Sequence, residues 1–365
     1  MTTPKTISVL LLASLPSLST PHFLAPVIVS AANAASGRLC VVLFSRLFDP
    51  DAISHTRNWD NVQRLLTYIY VQATKTAQDM DNPLLQVDVL LKGMSMQETL
   101  PEDIGEGCEV VYRVSGGIAI VVSVFSSLTG NASDVIAAAL PPSLLELSHR
   151  YISATSDEGR TSPEASDDAD ILPMLPVVAL GGTFDHLHAG HKILLSMAAW
   201  IASQKVIVGV TNATLLGSKS NAHVLESLET RKANVQTFLE LFKPGLEYDI
   251  VTIDDVYGPT GWDPNIQGLV VSRETINGAE MIADHREKKQ LPKLTVFVID
   301  VISHTSSNIT EEDLSLLRQT KMSSTHIRNW IAEREKQQQE AQTQRTEDQS
   351  KPVERGEFGW ISPVV

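Results

Sequence analysis

Residues 177 to 191 constrain the fold more than any other stretch of the chain. Val177-Val178-Ala179-Leu180 is an apolar run with the character of a buried strand, and Gly181-Gly182 follows it. Thr183, Asp185, His186, His188 and His191 then arrive within nine positions. From Lys192 to Ala202 the apolar residues Ile193, Leu194, Met197, Ala198 and Ile201 fall at helical spacing. A strand that passes through glycines into a helix is how an α/β protein builds a phosphate site. The N–H groups at the helix start have no intrahelical partners, and the helix dipole favours an anion there.

The surrounding residues repeat this alternation. Strands are expected at 177–181, 205–211, 248–253, 268–272 and 294–300, and helices at 190–203, about 227–242, 276–289 and from 323 onward. Such alternation predicts a parallel sheet whose ligands bind beyond the carboxyl ends of its strands. Residues 174–334 therefore form one Rossmann-like α/β domain. Residues 1–151 read as a separate α/β domain, with strands at 8–15, 39–44, 85–91, 109–114 and 118–124. One of its helices carries Val62, Leu65, Leu66, Ile69 and Tyr70, and others are expected at 132–139 and 143–151. Gly116-Gly117 reads as a hairpin turn and His55 as a surface histidine in a polar loop. Residues 152–173, rich in Ser, Asp and Glu, form an acidic disordered linker, and 335–365 a polar tail.

Composition narrows the function. A net charge of −14 argues against a nucleic-acid partner. Two cysteines, Cys40 and Cys108, are too few for a disulfide framework and suit a reducing, cytoplasmic compartment. Residues 7–18 with Ala31–Ala35 imitate a secretory signal, but Pro16 and Pro21 interrupt the run, and a core strand is expected instead. No segment has the apolar length of a membrane span.

His188 and His191 stand three apart at a helix start, where both can face a triphosphate. Thr183 offers a hydroxyl and an amide beside them. A satisfied core histidine is the alternative for one His alone; the Gly-Gly-Thr-Phe-Asp lead-in with both favours the phosphate role. Phe184 and Asp185 brace the turn, and His186 lies outside the motif. No metal held by the protein is expected, because Asp185, His186, His188 and His191 match no familiar zinc spacing. Lys219, just past strand 205–211, can reach a phosphate as a mobile point charge, with a solvated surface lysine as the alternative. The Gly- and Pro-containing stretch Asp255–Pro264 makes a shaped loop carrying Tyr257, and Ser272 and Arg273 mark another strand-to-helix junction. In Lys321-Met322-Ser323-Ser324-Thr325-His326-Ile327-Arg328 the hydroxyls sit at a helix N-terminus, with Arg328 one turn on from Ser324.

Gly182-Thr183-Phe184-Asp185 followed by His188-Ala189-Gly190-His191 resembles the G-T-F-D-x-x-H-x-G-H signature of the nucleotidyltransferase superfamily. Ser323-Ser324-Thr325-x-x-Arg328, Tyr257-Gly258-Pro259 and Val270-Val271-Ser272-x-Glu274-Thr275 extend the likeness to the eukaryotic-type phosphopantetheine adenylyltransferases, over about residues 175 to 333. The resemblance implies transfer of AMP from ATP to 4′-phosphopantetheine by direct in-line attack, giving 3′-dephospho-CoA and pyrophosphate, with Mg²⁺ accompanying ATP. It implies His191 as transition-state stabiliser, Thr183 and His188 as phosphate positioners, and Lys219 near the reacting phosphates. Gly182, Ser323, Ser324, Thr325 and Arg328 complete the implied ATP site, and Tyr257, Ser272, Arg273 and Lys219 the substrate side. Animal members carry a dephospho-CoA kinase; no G-x-x-x-x-G-K-[ST] loop occurs here, so a monofunctional, fungal-like enzyme is expected. Other enzymes of coenzyme A synthesis would dock through the N-terminal domain. Two other functions compete. A cytidylyltransferase shares the first motif but usually carries R-T-x-G-I-S-T in place of Lys321–Thr325, and a non-catalytic nucleotide-binding scaffold would bind ATP without turnover.

Overall fold

Apolar runs such as Val9–Leu12 and Cys40–Leu43 are buried along their length, as strands covered on both faces must be. The computed structural model describes residues 6–94, 100–105, 107–115, 148–153, 172–216, 220–299 and 323–350. Strands β1 (Thr6–Ser14), β2 (Ala35–Phe44), β3 (Gln86–Lys92), β4 (Cys108–Ser115) and β5 (Ser148–Ser153) form a sheet in the order β3-β2-β1-β4-β5. Strands β6 (Leu175–Gly182), β7 (Ala202–Thr211), β8 (Glu247–Ile253), β9 (Gly268–Ser272) and β10 (Thr295–Ile299) form a second, in the order β10-β9-β6-β7-β8. Every pairing among these strands is parallel. In each sheet the first strand is central, the next two run out to one side, and the last two to the other. The halves therefore share one topology.

The helices are α1 (Ala25–Ala34), α2 (Trp59–Asp79), α3 (Ala189–Ile201), α4 (Leu228–Phe242), α5 (Ile276–Lys288) and α6 (Ser324–Ser350). Among the described residues no helix is long and apolar enough to cross a membrane. A single cluster of buried side chains runs from Val9 in β1 to Ile299 in β10, so the two sheets are joined by packed core. Cys40 and Cys108 are both buried within it.

Three expectations need correction or completion. His55 is not at the surface: it is 2% exposed and stacks on Trp200 of α3 at 3.7 Å and 2°. Its Nδ1 donates to Trp200 O (2.7 Å), while Trp200 Nε1 donates to His55 O (3.2 Å). The polar residues around His55 hid a partner 145 positions away. The described part of the helix expected at 143–151 is strand β5. Its backbone pairs with β4 from Val110↔Ser148 to Ser115↔Ser153, and sheet pairing overrides a weak local preference. The alanines that imitated a cleavage site belong to α1 and the start of β2, where Ala31, Ala32 and Ala35 are fully buried. The strand expected at 118–124, the helix at 132–139, the Gly116-Gly117 turn and most of the linker lie outside the described residues.

Candidate active site

β6 runs down the middle of the second sheet, with β7 on one side and β9 on the other. The chain leaves β6 toward β7 and leaves β9 toward β10, so the order reverses between β6 and β9. A crevice opens at the carboxyl ends of strands at such a point. Gly182–His191 and Ser272–Thr275 both leave the sheet there.

The turn after β6 is held in an uncommon conformation. Phe184 (φ 52°) and His186 (φ 46°) are both left-handed, flanking a fully buried Asp185. Non-glycine residues adopt this region only when their surroundings insist, and here the restraints are visible. Asp185 Oδ1 accepts from Glu226 N (3.0 Å) and Oδ2 from Arg328 Nη1 (2.6 Å). His186 N donates to Glu226 Oε2 (2.6 Å), and His186 Nε2 donates to Val224 O (2.8 Å). Phe184 and Asp185 thus pack and brace the turn, and His186 shares the task. Asp185, His186 and Glu226 bring ligand-type atoms within 4.8 Å of one another, but those atoms hold the turn closed.

Arg231 ties the strand ends together. It is 1% exposed, and its Nη1 donates to Thr183 O (2.7 Å) and to Thr211 O (3.0 Å) at the end of β7. Its Nε donates to Glu226 O (3.2 Å). One guanidinium thereby positions Thr183 against the neighbouring strand. Arg231 was not foreseen as a site residue, yet it had a signal. It shares a helical stripe with Val235, Phe238, Leu239 and Phe242, so a charge stands on the apolar face of α4.

His188 is the N-cap residue of α3 and makes no side-chain cap bond. Its ring stacks on His191 at 3.9 Å and 25°, with Phe184 tilted against His191 at 5.3 Å. Gly190 makes this possible, because a Cβ there would lie 3.2 Å from His188 Cε1. His188 Nδ1 is buried and has no hydrogen-bond partner among the described residues. Burial pushes the His188 imidazole down to about 4, with Asp185 pulling the other way and His186 and Lys192 adding to the fall. At neutral pH His188 is therefore an uncharged donor and acceptor facing the helix start. A buried ring nitrogen without a partner is open to a hydrogen bond from a ligand.

The start of α6 meets the same turn. Ser324 Oγ donates to Asp185 O (2.8 Å), and Ser323 Oγ accepts from His326 N (3.3 Å) as a helix cap. Arg328, expected at a triphosphate, is 1% exposed. Besides Asp185, its guanidinium donates to Ser220 O (3.0 Å) and Thr325 Oγ1 (3.2 Å). It braces the junction between α6 and the motif turn, because the buried carboxylate is the strongest partner within reach. Lys219, Lys321 and Met322 lie outside the described residues. Ser272 pairs with Thr275 as a capping box at the end of β9, and Arg273 is exposed next to it. Tyr257 stacks on His285 of α5 at 4.2 Å, and Asp255 Oδ1 accepts from the Tyr257 and Gly258 amides (2.9 and 2.7 Å). The loop is thereby shaped and fastened to α5.

Beyond the central strand of a parallel α/β sheet, paired histidines thus stand at a helix start. The cytidylyltransferase-like family model matches residues 179–330. Phosphopantetheine adenylyltransferase of Saccharomyces cerevisiae is 44% identical over 155 residues, 42% of this chain and 48% of that one. An uncharacterized protein of Schizosaccharomyces pombe is 42% identical over 156 residues, 43% of this chain and 48% of that one. Phosphopantetheine adenylyltransferase of Pyrobaculum aerophilum is 36% identical over 125 residues, 34% of this chain and 79% of that one. The chain belongs to the phosphopantetheine adenylyltransferase family. It matches about half the length of the two yeast relatives.

Proposed function

We propose that this chain transfers AMP from ATP to 4′-phosphopantetheine, giving 3′-dephospho-CoA and pyrophosphate. The observation that carries this reading is the stacked His188–His191 pair at the start of α3, at the β6–β9 crevice, with His188 Nδ1 buried and lacking a partner among the described residues. In this reading a phosphate oxygen of phosphopantetheine attacks the α-phosphorus of ATP in line. The new P–O bond forms as the bond to the bridging oxygen breaks, and pyrophosphate leaves with the electron pair. No covalent enzyme intermediate and no proton transfer from His188 are required, since His188 is neutral at pH 7.

Catalysis then rests on placing donors where charge develops. His191 stabilises the transition state. Gly182, Thr183 and His188 position the triphosphate with the α3 amides, and Ser323, Ser324 and Thr325 receive it from the side of α6. Arg328 contributes by holding the helix start against Asp185, and Lys219 approaches the reacting phosphates. Tyr257, Ser272 and Arg273 line the phosphopantetheine side. Mg²⁺ enters with ATP; the carboxylates of the motif turn are already engaged, which suits a metal carried by the nucleotide. The reading places the protein in the cytoplasm.

The test is pyrophosphate release by the purified chain with ATP, Mg²⁺ and 4′-phosphopantetheine, beside CTP and beside a His191→Ala variant. Release with ATP and phosphopantetheine together is expected, with a loss of roughly 10²–10³-fold or more in the variant at unchanged folding. ATP binding without release under any of these conditions would overturn the reading in favour of a non-catalytic scaffold.

A further inference from the structure

The N-terminal half repeats the topology of the transferase half but has no G-T-F-D-x-x-H-x-G-H stretch between β1 and α1. It meets the start of α3 through Lys192. That lysine follows His191 directly, and its amide makes the first bond of α3, to His188 O (3.0 Å). Its side chain is buried, 6% exposed. Nζ donates to Asp88 Oδ1 (2.6 Å) and Val87 O (2.8 Å), both in β3 of the other sheet. The second Asp88 oxygen accepts from Arg38 Nε (2.9 Å) on β2.

Stability alone is a poor reason for this arrangement. A cation in the first turn opposes the helix dipole, and a buried ion pair is often no better for stability than well-packed apolar side chains. What the pair supplies is direction. Successive helix residues point about 100° apart, so the bearing of Lys192 sets the bearing of His191. Burial pushes the Asp88 carboxyl up, and Lys192 and Arg38 outweigh it, so Asp88 remains a fixed anion. The far end of α3 is bolted to the same half by the His55–Trp200 stack.

We propose that Asp88 is a positioning residue for nucleotidyl transfer, holding Lys192 so that α3 presents His188 and His191 to the crevice. This rests on the transferase reading above and gives the N-terminal half its role as an internal support of the active site. The experiment uses the full chain in two forms. Asp88→Asn leaves a buried ammonium without its anion and is the form at risk of not folding. The double variant Asp88→Leu/Lys192→Met removes both charges together, and Arg38, partly exposed, turns to solvent. Expected for the double variant are a melting temperature near that of the parent, a fall in kcat of about ten- to a hundred-fold, and a change in KM for ATP below about three-fold. The ring signals of His188 and His191 should shift and the contacts between the two rings, read by NMR, should weaken, which loss of the Lys192 charge alone would not produce. Parent-like kcat with unmoved ring signals would overturn the proposal. If the parent itself released no pyrophosphate, the transferase reading would fall, and the ring signals would still decide whether Asp88 positions the histidines.

Discussion

At the scale of the residue, His188 has a titration set by where it sits. Its folded value of about 4 lies below the ordinary 6.5 because burial disfavours the imidazolium. Below about pH 6.5 the unfolded chain takes up a proton that the folded chain refuses. The contribution to stability is therefore complete above about pH 6.5 and is lost as the pH falls toward 4, on the order of 1–3 kcal/mol in all. Thermal unfolding followed from pH 8 to pH 4 should show a fall in midpoint through this window that is shallower in His188→Gln. Equal slopes in the two proteins would show that the ring titrates normally. The motif residues themselves were legible because they lie within a few positions of one another. The bond that braces them was not: Asp185 and Arg328 are 143 positions apart, and neither stretch names the other as its partner.

At the scale of the element, α3 has a close approach at Gly190, where a Cβ would crowd the His188 ring. Alanine at position 190 would favour the helix by up to about 1 kcal/mol, but its methyl would stand 3.2–3.3 Å from the His188 ring. Gly190→Ala should therefore keep its stability within about 1 kcal/mol of the parent and lose about ten-fold or more in kcat as the ring is displaced. Calorimetry and pyrophosphate release on the same preparation check both halves; full activity would mean that the stacked geometry is dispensable. The strands and helices of the second sheet were legible to within a few residues, since strict alternation and sharp apolar runs leave little choice. β5 was not, because Ser-His-Arg-Tyr-Ile-Ser has no clear period and becomes a strand only by pairing with β4. Arg231 and Arg286 are the same lesson in side chains. Each is a charge on an apolar stripe whose purpose emerges only with the carbonyls it collects, Thr183 and Thr211 for one, Pro292, Thr260 and Asp263 for the other.

At the scale of the whole molecule, two sheets of one topology share a core, and the face of α3 that carries Trp200 belongs to that junction. Trp200 is 3% exposed, enclosed by His55 and by Phe48 at 5.9 Å. Trp59 of α2 lies against Phe297 of β10 at 4.9 Å, and Thr56 bonds back to Leu172 O and Pro173 O. If the C-terminal half stood by itself, these apolar surfaces would face water at about 1.5–3 kcal/mol for each large side chain. Residues 172–365 produced alone should therefore unfold about ten degrees or more below the full chain and self-associate through the bared α3 face. Adding residues 1–153 as a separate chain should raise the midpoint again. A fragment that stays monomeric and melts with the parent would mean that the junction is incidental packing. A fragment that is folded but slow, and recovers its rate when the other half is added, would place the junction in the same chain of support as Asp88 and Lys192.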